Sequence, residues 1–200
     1  ISSIPIDAVY SSPLQRASET TKIIINQHQS KLQPIYTNDL LEVDLGPWSG
    51  LTKNELKKLY PENVAIWEKE PKELSINKED GTKFQPIKEL LIQGENFLKS
   101  LFNLNAQSDS NKTILIVAHN AILRCLILKL INEPSRGFRR IKLDNTSISI
   151  LNIDFNTWEN RQVQIHCLNN IAHLQTRLPE KDSNKRIILV RHGETDWNKQ

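Results

Sequence analysis

Residues 113–118 read Thr-Ile-Leu-Ile-Val-Ala, six positions without a charge, and His119 follows them directly. An aliphatic, β-branched run with no polar alternation fits a strand buried on both faces, as parallel sheets covered by helices have. Residues 121–131 then repeat their apolar positions at helical spacing, and Pro134 bars any continuation of that helix. A strand, a histidine at its tip and a helix in that order constrain the fold strongly. They predict an α/β domain whose chemistry collects at the carboxyl ends of the strands.

The remaining segments agree. Asp7–Ser12 is a short strand ended by Pro13, and Leu14 to about Gln29 reads as a helix with Ala17, Thr21, Ile24 and Ile25 near one face. Pro34–Thr37 is a second strand. Leu41–Gly50 is a turn-rich loop. Lys53–Leu59 is a helix, and Glu62–Glu68 gives another turn or two. Lys69–Gln85 is polar and is expected to be an irregular excursion, whereas Pro86–Asn103 is amphipathic and helical. Ser147–Ile153 and Gln162–His166 alternate, as strands exposed on one side do. Strands separated by helices predict a mostly parallel sheet.

Composition narrows the function classes. Two hundred residues, 38% hydrophobic and 24% charged, suit one globular domain of ordinary size. A net charge of +3, scattered along the chain, is too small to argue for a nucleic-acid partner but suits small anionic substrates. No apolar run approaches membrane-span length and no signal-peptide pattern opens the chain, so a cytoplasmic protein without a membrane partner is expected. Cys125 and Cys167 are the two cysteines, and with the five histidines they form no metal-binding spacing. They read as buried free thiols, and neither a metal nor another cofactor is expected.

Four pieces carry chemistry. Ile187–Val190 is an apolar strand that delivers Arg191 and His192 together, with Gly193 to turn and Asn198 six residues after the histidine. An imidazole with one free nitrogen is a competent nucleophile toward phosphorus, and an adjacent guanidinium offers a fork for phosphate oxygens. Ser11-Ser12-Pro13-Leu14-Gln15-Arg16-Ala17 puts Arg16 in the first turn of a helix, able to point back to an anion at the strand tips. The loop Leu41-Glu42-Val43-Asp44 supplies a carboxylate for acid–base work, with Asp44 the local competitor of Glu42. His119 follows a strand, where it can donate to a phosphoryl oxygen.

These pieces together closely resemble the histidine phosphatase superfamily, in its phosphoglycerate mutase-like branch. The resemblance implies a three-layer α/β/α fold with a mostly parallel central sheet. It also implies hydrolysis of small phosphorylated metabolites through a phosphohistidine. His192 is then the nucleophile and Glu42 the acid and base, while Arg191, Arg16, His119 and Asn198 bind the phosphoryl group without metal. Phosphoserine phosphatase activity, phosphoglycerate mutase activity and a non-catalytic phosphate-ester-binding or interaction domain stay open as readings, as does a homo-oligomer.

The order of the pieces departs from the family, where the Arg-His-Gly strand comes first. Here it comes last, and the family's first long helix has no counterpart. In one account residues 1–178 are a phosphatase domain without its nucleophile strand and first helix. Residues 179–185 are then a linker, and 186–200 open a second domain. In the other account 186–200 are the permuted first strand of the same domain. The absence of methionine and the abrupt ends favour a piece of a tandem protein. A second departure is Asp80-Gly81-Thr82, which stands where the family often carries a Gly-Glu-Ser-like turn.

Overall fold

The computed structural model describes residues 4–29, 31–78, 80–105, 111–133, 137–155 and 157–175. Strand β1 (Ala8–Ser11) lies at the centre of a parallel three-stranded sheet, between β2 (Pro34–Tyr36) and β5 (Ile114–Val117). The register pairs Val9 with Pro34 on one side and with Leu115 on the other. All three strands therefore end together, at Ser11, Tyr36 and Val117. This is the α/β fold with a parallel central sheet expected from the sequence.

Helix α1 (Gln15–Asn26) starts two residues beyond Pro13 and buries Ala17 and Thr21. Helix α4 (Pro86–Asn105) and helix α5 (Asn120–Leu130) pack on each other and make the main core, with Leu90, Phe97, Leu98, Ile122, Cys125 and Leu126 all buried. Gly94 lies at their close approach, where a Cβ would stand 3.1 Å from Leu126 Cδ2 and press on that methyl group. A second cluster joins Trp48, Val64, Leu74, Ile76 and Phe84 beneath α2 (Lys53–Leu59) and α3 (Pro61–Lys69). The excursion at 69–85 is more ordered than expected. Strands β3 (Ile76–Asn77) and β4 (Lys83–Phe84) pair antiparallel and send Ile76 and Phe84 into that cluster.

The last two strands, β6 (Ile148–Phe155) and β7 (Arg161–Asn170), form an antiparallel hairpin. It is tied to both ends of α5. Asn120 Nδ2 donates to Leu143 O at 2.7 Å, and Asp144 N to Asn169 Oδ1 at 2.7 Å, beside the N-terminus of that helix. At the other end Arg161 Nε donates to Leu130 O at 3.2 Å, and its guanidinium stacks 3.7 Å over Trp158. Strand β6 therefore runs along α5 in the same direction, and β7 runs back. Because α5 reverses the direction of β5, β6 is antiparallel to β5 and β7 parallel to it. Side chains of β5 and β6 pack against the same core cluster, yet among the described residues no strand pairs with the second edge of either. A second difference from expectation is that β5 is half-buried along its length, not buried on both faces.

Candidate active site

The sheet's shared end collects the polar residues. Ser11 finishes β1, Ser12 follows it, and both are fully buried. Ser12 N donates to Val117 O at 3.0 Å, which fastens the tip of β1 to the tip of β5. Two residues on, His119 closes β5 as the N-cap of α5 and is 6% exposed. Arg16, in the first turn of α1, donates from Nε to His119 Nδ1 at 3.0 Å across 103 residues of sequence. His119 Nε2 lies 2.8 Å from Ser12 Oγ. Burial, and then the Arg16 charge, push the His119 pKa below its ordinary value, so the ring is neutral at pH 7.

Glu42 reaches the same place from the loop after β2. Gln93 Nε2 on α4 donates to Asp39 O and Leu41 O, at 3.0 and 3.1 Å, and fixes the path of that loop. The Glu42 carboxylate then sits on the N-terminus of α5. Its Oε1 accepts from Val43 N at 2.9 Å, Ala121 N at 3.1 Å and Ile122 N at 3.3 Å. Oε1 thus satisfies N–H groups that the start of a helix leaves unpaired. Oε2 has one contact, 3.3 Å from Ala121 N. The two oxygens therefore differ, one engaged by three peptide groups and the other nearly free. Asp44, the competing carboxylate, is exposed and accepts from Gly46 N at 2.7 Å within its own turn.

The structure thus brings Arg16, His119 and Glu42 to one end of the sheet. Arg191, His192 and Asn198 lie outside the described residues. Sequence reasoning gave no role to Ser12, whose contact with His119 pairs residues 107 apart. It also passed over Arg124, one turn into α5. Its guanidinium lies 5.3 Å from the Phe138 ring, and its buried Nε has no hydrogen-bond partner. No cluster of three or more His, Cys, Asp or Glu suited to a metal occurs among the described residues, and no described helix is long and apolar enough to cross a membrane.

Known proteins share this arrangement of chain. A family model described as the histidine phosphatase superfamily (branch 1) matches residues 1–166. The 2-carboxy-D-arabinitol-1-phosphatase of Triticum aestivum is 31% identical over 195 residues, covering 94% of this chain and 37% of its own length. Phosphoserine phosphatase 1 of Hydrogenobacter thermophilus is 28% identical over 169 residues, covering 84% and 72%. Among solved structures, Bacillus stearothermophilus YhfR matches with a TM-score of 0.70 at 22% identity, over 86% of this chain and 78% of that one. That likeness is one of fold. The chain spans little more than a third of the wheat relative.

Proposed function

Because the chain belongs to the histidine phosphatase superfamily (branch 1), we propose that it contributes a site that hydrolyses phosphomonoesters of small metabolites through a phosphohistidine. The observation that carries this reading is the convergence of Arg16, His119 and Glu42 at one end of a parallel sheet. A guanidinium, a histidine and a carboxylate on a helix start are the groups that phosphoryl transfer without metal needs.

The chemistry runs in two steps. His192 attacks phosphorus in line, the bond to the ester oxygen breaks, and that oxygen leaves with the electron pair. Glu42 gives it a proton from Oε2, while Oε1 stays on the α5 peptide groups and holds the side chain in place. Water then attacks phosphorus, Glu42 takes its proton, the P–N bond breaks with its electron pair returning to the His192 nitrogen, and inorganic phosphate leaves. Arg16, Arg191 and Asn198 hold the phosphoryl oxygens, and His119, engaged at both ring nitrogens by Arg16 and Ser12, holds the Arg16 guanidinium in place.

The nucleophile has a place to enter. A strand filling the open edges of β5 and β6, parallel to the first and antiparallel to the second, emerges beside Arg16 and His119. Residues 187–190 have the apolar composition for it, and Arg191 and His192 follow at the emerging end. In this reading residues 186–200 open a second unit of a longer protein, and an equivalent strand fills the slot in the first. A catalytic role for His192 in the isolated chain requires residues 187–190 to serve as that strand. The substrate class is a small phosphorylated metabolite. Phosphoserine and 2-carboxy-D-arabinitol 1-phosphate are the first to test, because two relatives are named for their phosphatases.

The test is release of inorganic phosphate from an aryl phosphate and from phosphoserine. Turnover of both, with Glu42→Gln impairing phosphoserine more than the aryl ester, is expected because a phenolate needs less help to leave. A folded chain that binds these esters without releasing phosphate would instead support a binding module.

A further inference from the structure

The contacts of His119 with Arg16 and with Ser12 together fix which ring nitrogen carries the proton. Arg16 is always protonated, so its Nε–H can only donate. The His119 Nδ1 atom, 3.0 Å away, must therefore be the bare acceptor. A neutral imidazole with a bare Nδ1 has its proton on Nε2, so the 2.8 Å contact is Nε2–H donating to Ser12 Oγ. We infer that Ser12 is a positioning residue that holds His119 as the Nε2–H tautomer, so that the Nδ1 lone pair grips Arg16 Nε and leaves the two Nη groups free for phosphate.

The support behind Ser12 is rigid. Its Oγ also accepts from Leu14 N at 3.3 Å. Thr21 Oγ1 donates to Ser11 Oγ at 2.8 Å, and Ser11 Oγ donates to Ser12 O at 3.0 Å. Ser11, Ser12 and Thr21 are all fully buried, so these bonds do not compete with water. The chain Thr21–Ser11–Ser12–His119–Arg16 joins α1 to itself through the tips of β1 and β5. Among the described residues the Arg16 Nη atoms have no partner. A planar fork held at Nε and open at both Nη positions is oriented for bidentate contact with a phosphoryl group.

The inference rests on the phosphatase reading only for what the guanidinium holds, and the experiment separates the two. Nitrogen-15 imidazole spectra of the full chain, with and without inorganic phosphate, read the tautomer directly. The expected result is a single His119 form protonated at Nε2. Ser12→Ala is expected to lose that single form and to bind phosphate about tenfold more weakly, the loss of one buried hydrogen bond. Ser12→Thr, which keeps the hydroxyl, is expected to restore both. A wild-type ring protonated at Nδ1 overturns the inference, whether or not Ser12→Ala folds. So does a folded Ser12→Ala chain with an unchanged tautomer and unchanged phosphate affinity. A wild-type Nε2–H form without phosphate binding supports the tautomer lock and removes the phosphate site instead.

Discussion

Glu42 shows how one side chain acquires its setting from three distant segments. Its loop is held by Gln93 from α4, its neighbour Val43 turns a peptide N–H onto it, and α5 presents two more. Replacing Glu42 by Ala leaves those α5 groups without an acceptor, so a loss of about 1 kcal/mol in unfolding free energy is expected besides the loss of catalysis. Urea unfolding of the variant checks this, and an unchanged midpoint would mean that water replaces the carboxylate at no cost. His119 gives a pH signature. Its folded pKa lies below the unfolded value of about 6.5 because burial and Arg16 disfavour the charged ring. The unfolded chain therefore takes up the proton first as pH falls, and this contribution to stability is complete above about 6.5 and declines below it. His119→Gln should flatten that acid-side decline in urea unfolding between about pH 7.5 and 5. A slope equal to that of the wild type would remove His119 as its source. The types of Arg16, Glu42 and His119 were legible because each is adjacent to a strand end or a turn. Ser12 was not, because a serine in a Ser-Ser-Pro turn looks like any turn residue until the fold brings a histidine to it.

At the level of elements, the strands and helices with strong periodicity were legible and the short ones were not. Residues 53–59 form a helix with the expected bounds, assisted by a reciprocal cap between Thr52 and Glu55. The excursion at 69–85 hides a two-residue hairpin, since two residues carry no period and only burial of Ile76 and Phe84 reveals it. The β6–β7 hairpin was visible as alternation, but its attachment was not. That attachment depends on Arg161, which donates to the carbonyls of Lys129 and Leu130 at the end of α5 while stacking on Trp158. A cation at a helix C-terminus satisfies carbonyls that the helix leaves unpaired. Arg161→Lys keeps the charge and loses the planar fork, so a loss of about 2 kcal/mol is expected. Hydrogen exchange across β6 and β7 should rise in that variant, and unchanged protection would show that the apolar contacts of the hairpin suffice.

At the scale of the whole molecule, the parallel sheet and the α4–α5 core hold Arg16, Glu42 and His119 at one end of the sheet. The sequence pattern placed Cys125 and Cys167 among buried thiols. The structure separates them: Cys125 is buried in the core, and burial, with the Glu42 charge added, pushes its thiol up to about 12, whereas Cys167 is half-buried on β7. One thiol, Cys167, should react with a neutral disulfide reagent at about pH 8 in the native chain, and both should react in denaturant. Labelling of Cys125 in the native chain would mean that the core opens. The order of the motifs could be read from the sequence, but the attachment of the β6–β7 hairpin to α5 could not, because it depends on contacts between segments distant in sequence.

The measurement that tests the phosphohistidine mechanism most directly is to mix the chain with an aryl phosphate, quench rapidly without acid and map phosphorylated peptides by mass spectrometry, with His192→Ala in parallel. The expected result is an acid-labile phosphoryl group on the peptide containing His192, absent from the His192→Ala chain. Phosphate release by both chains, with no phosphohistidine in either, would contradict it.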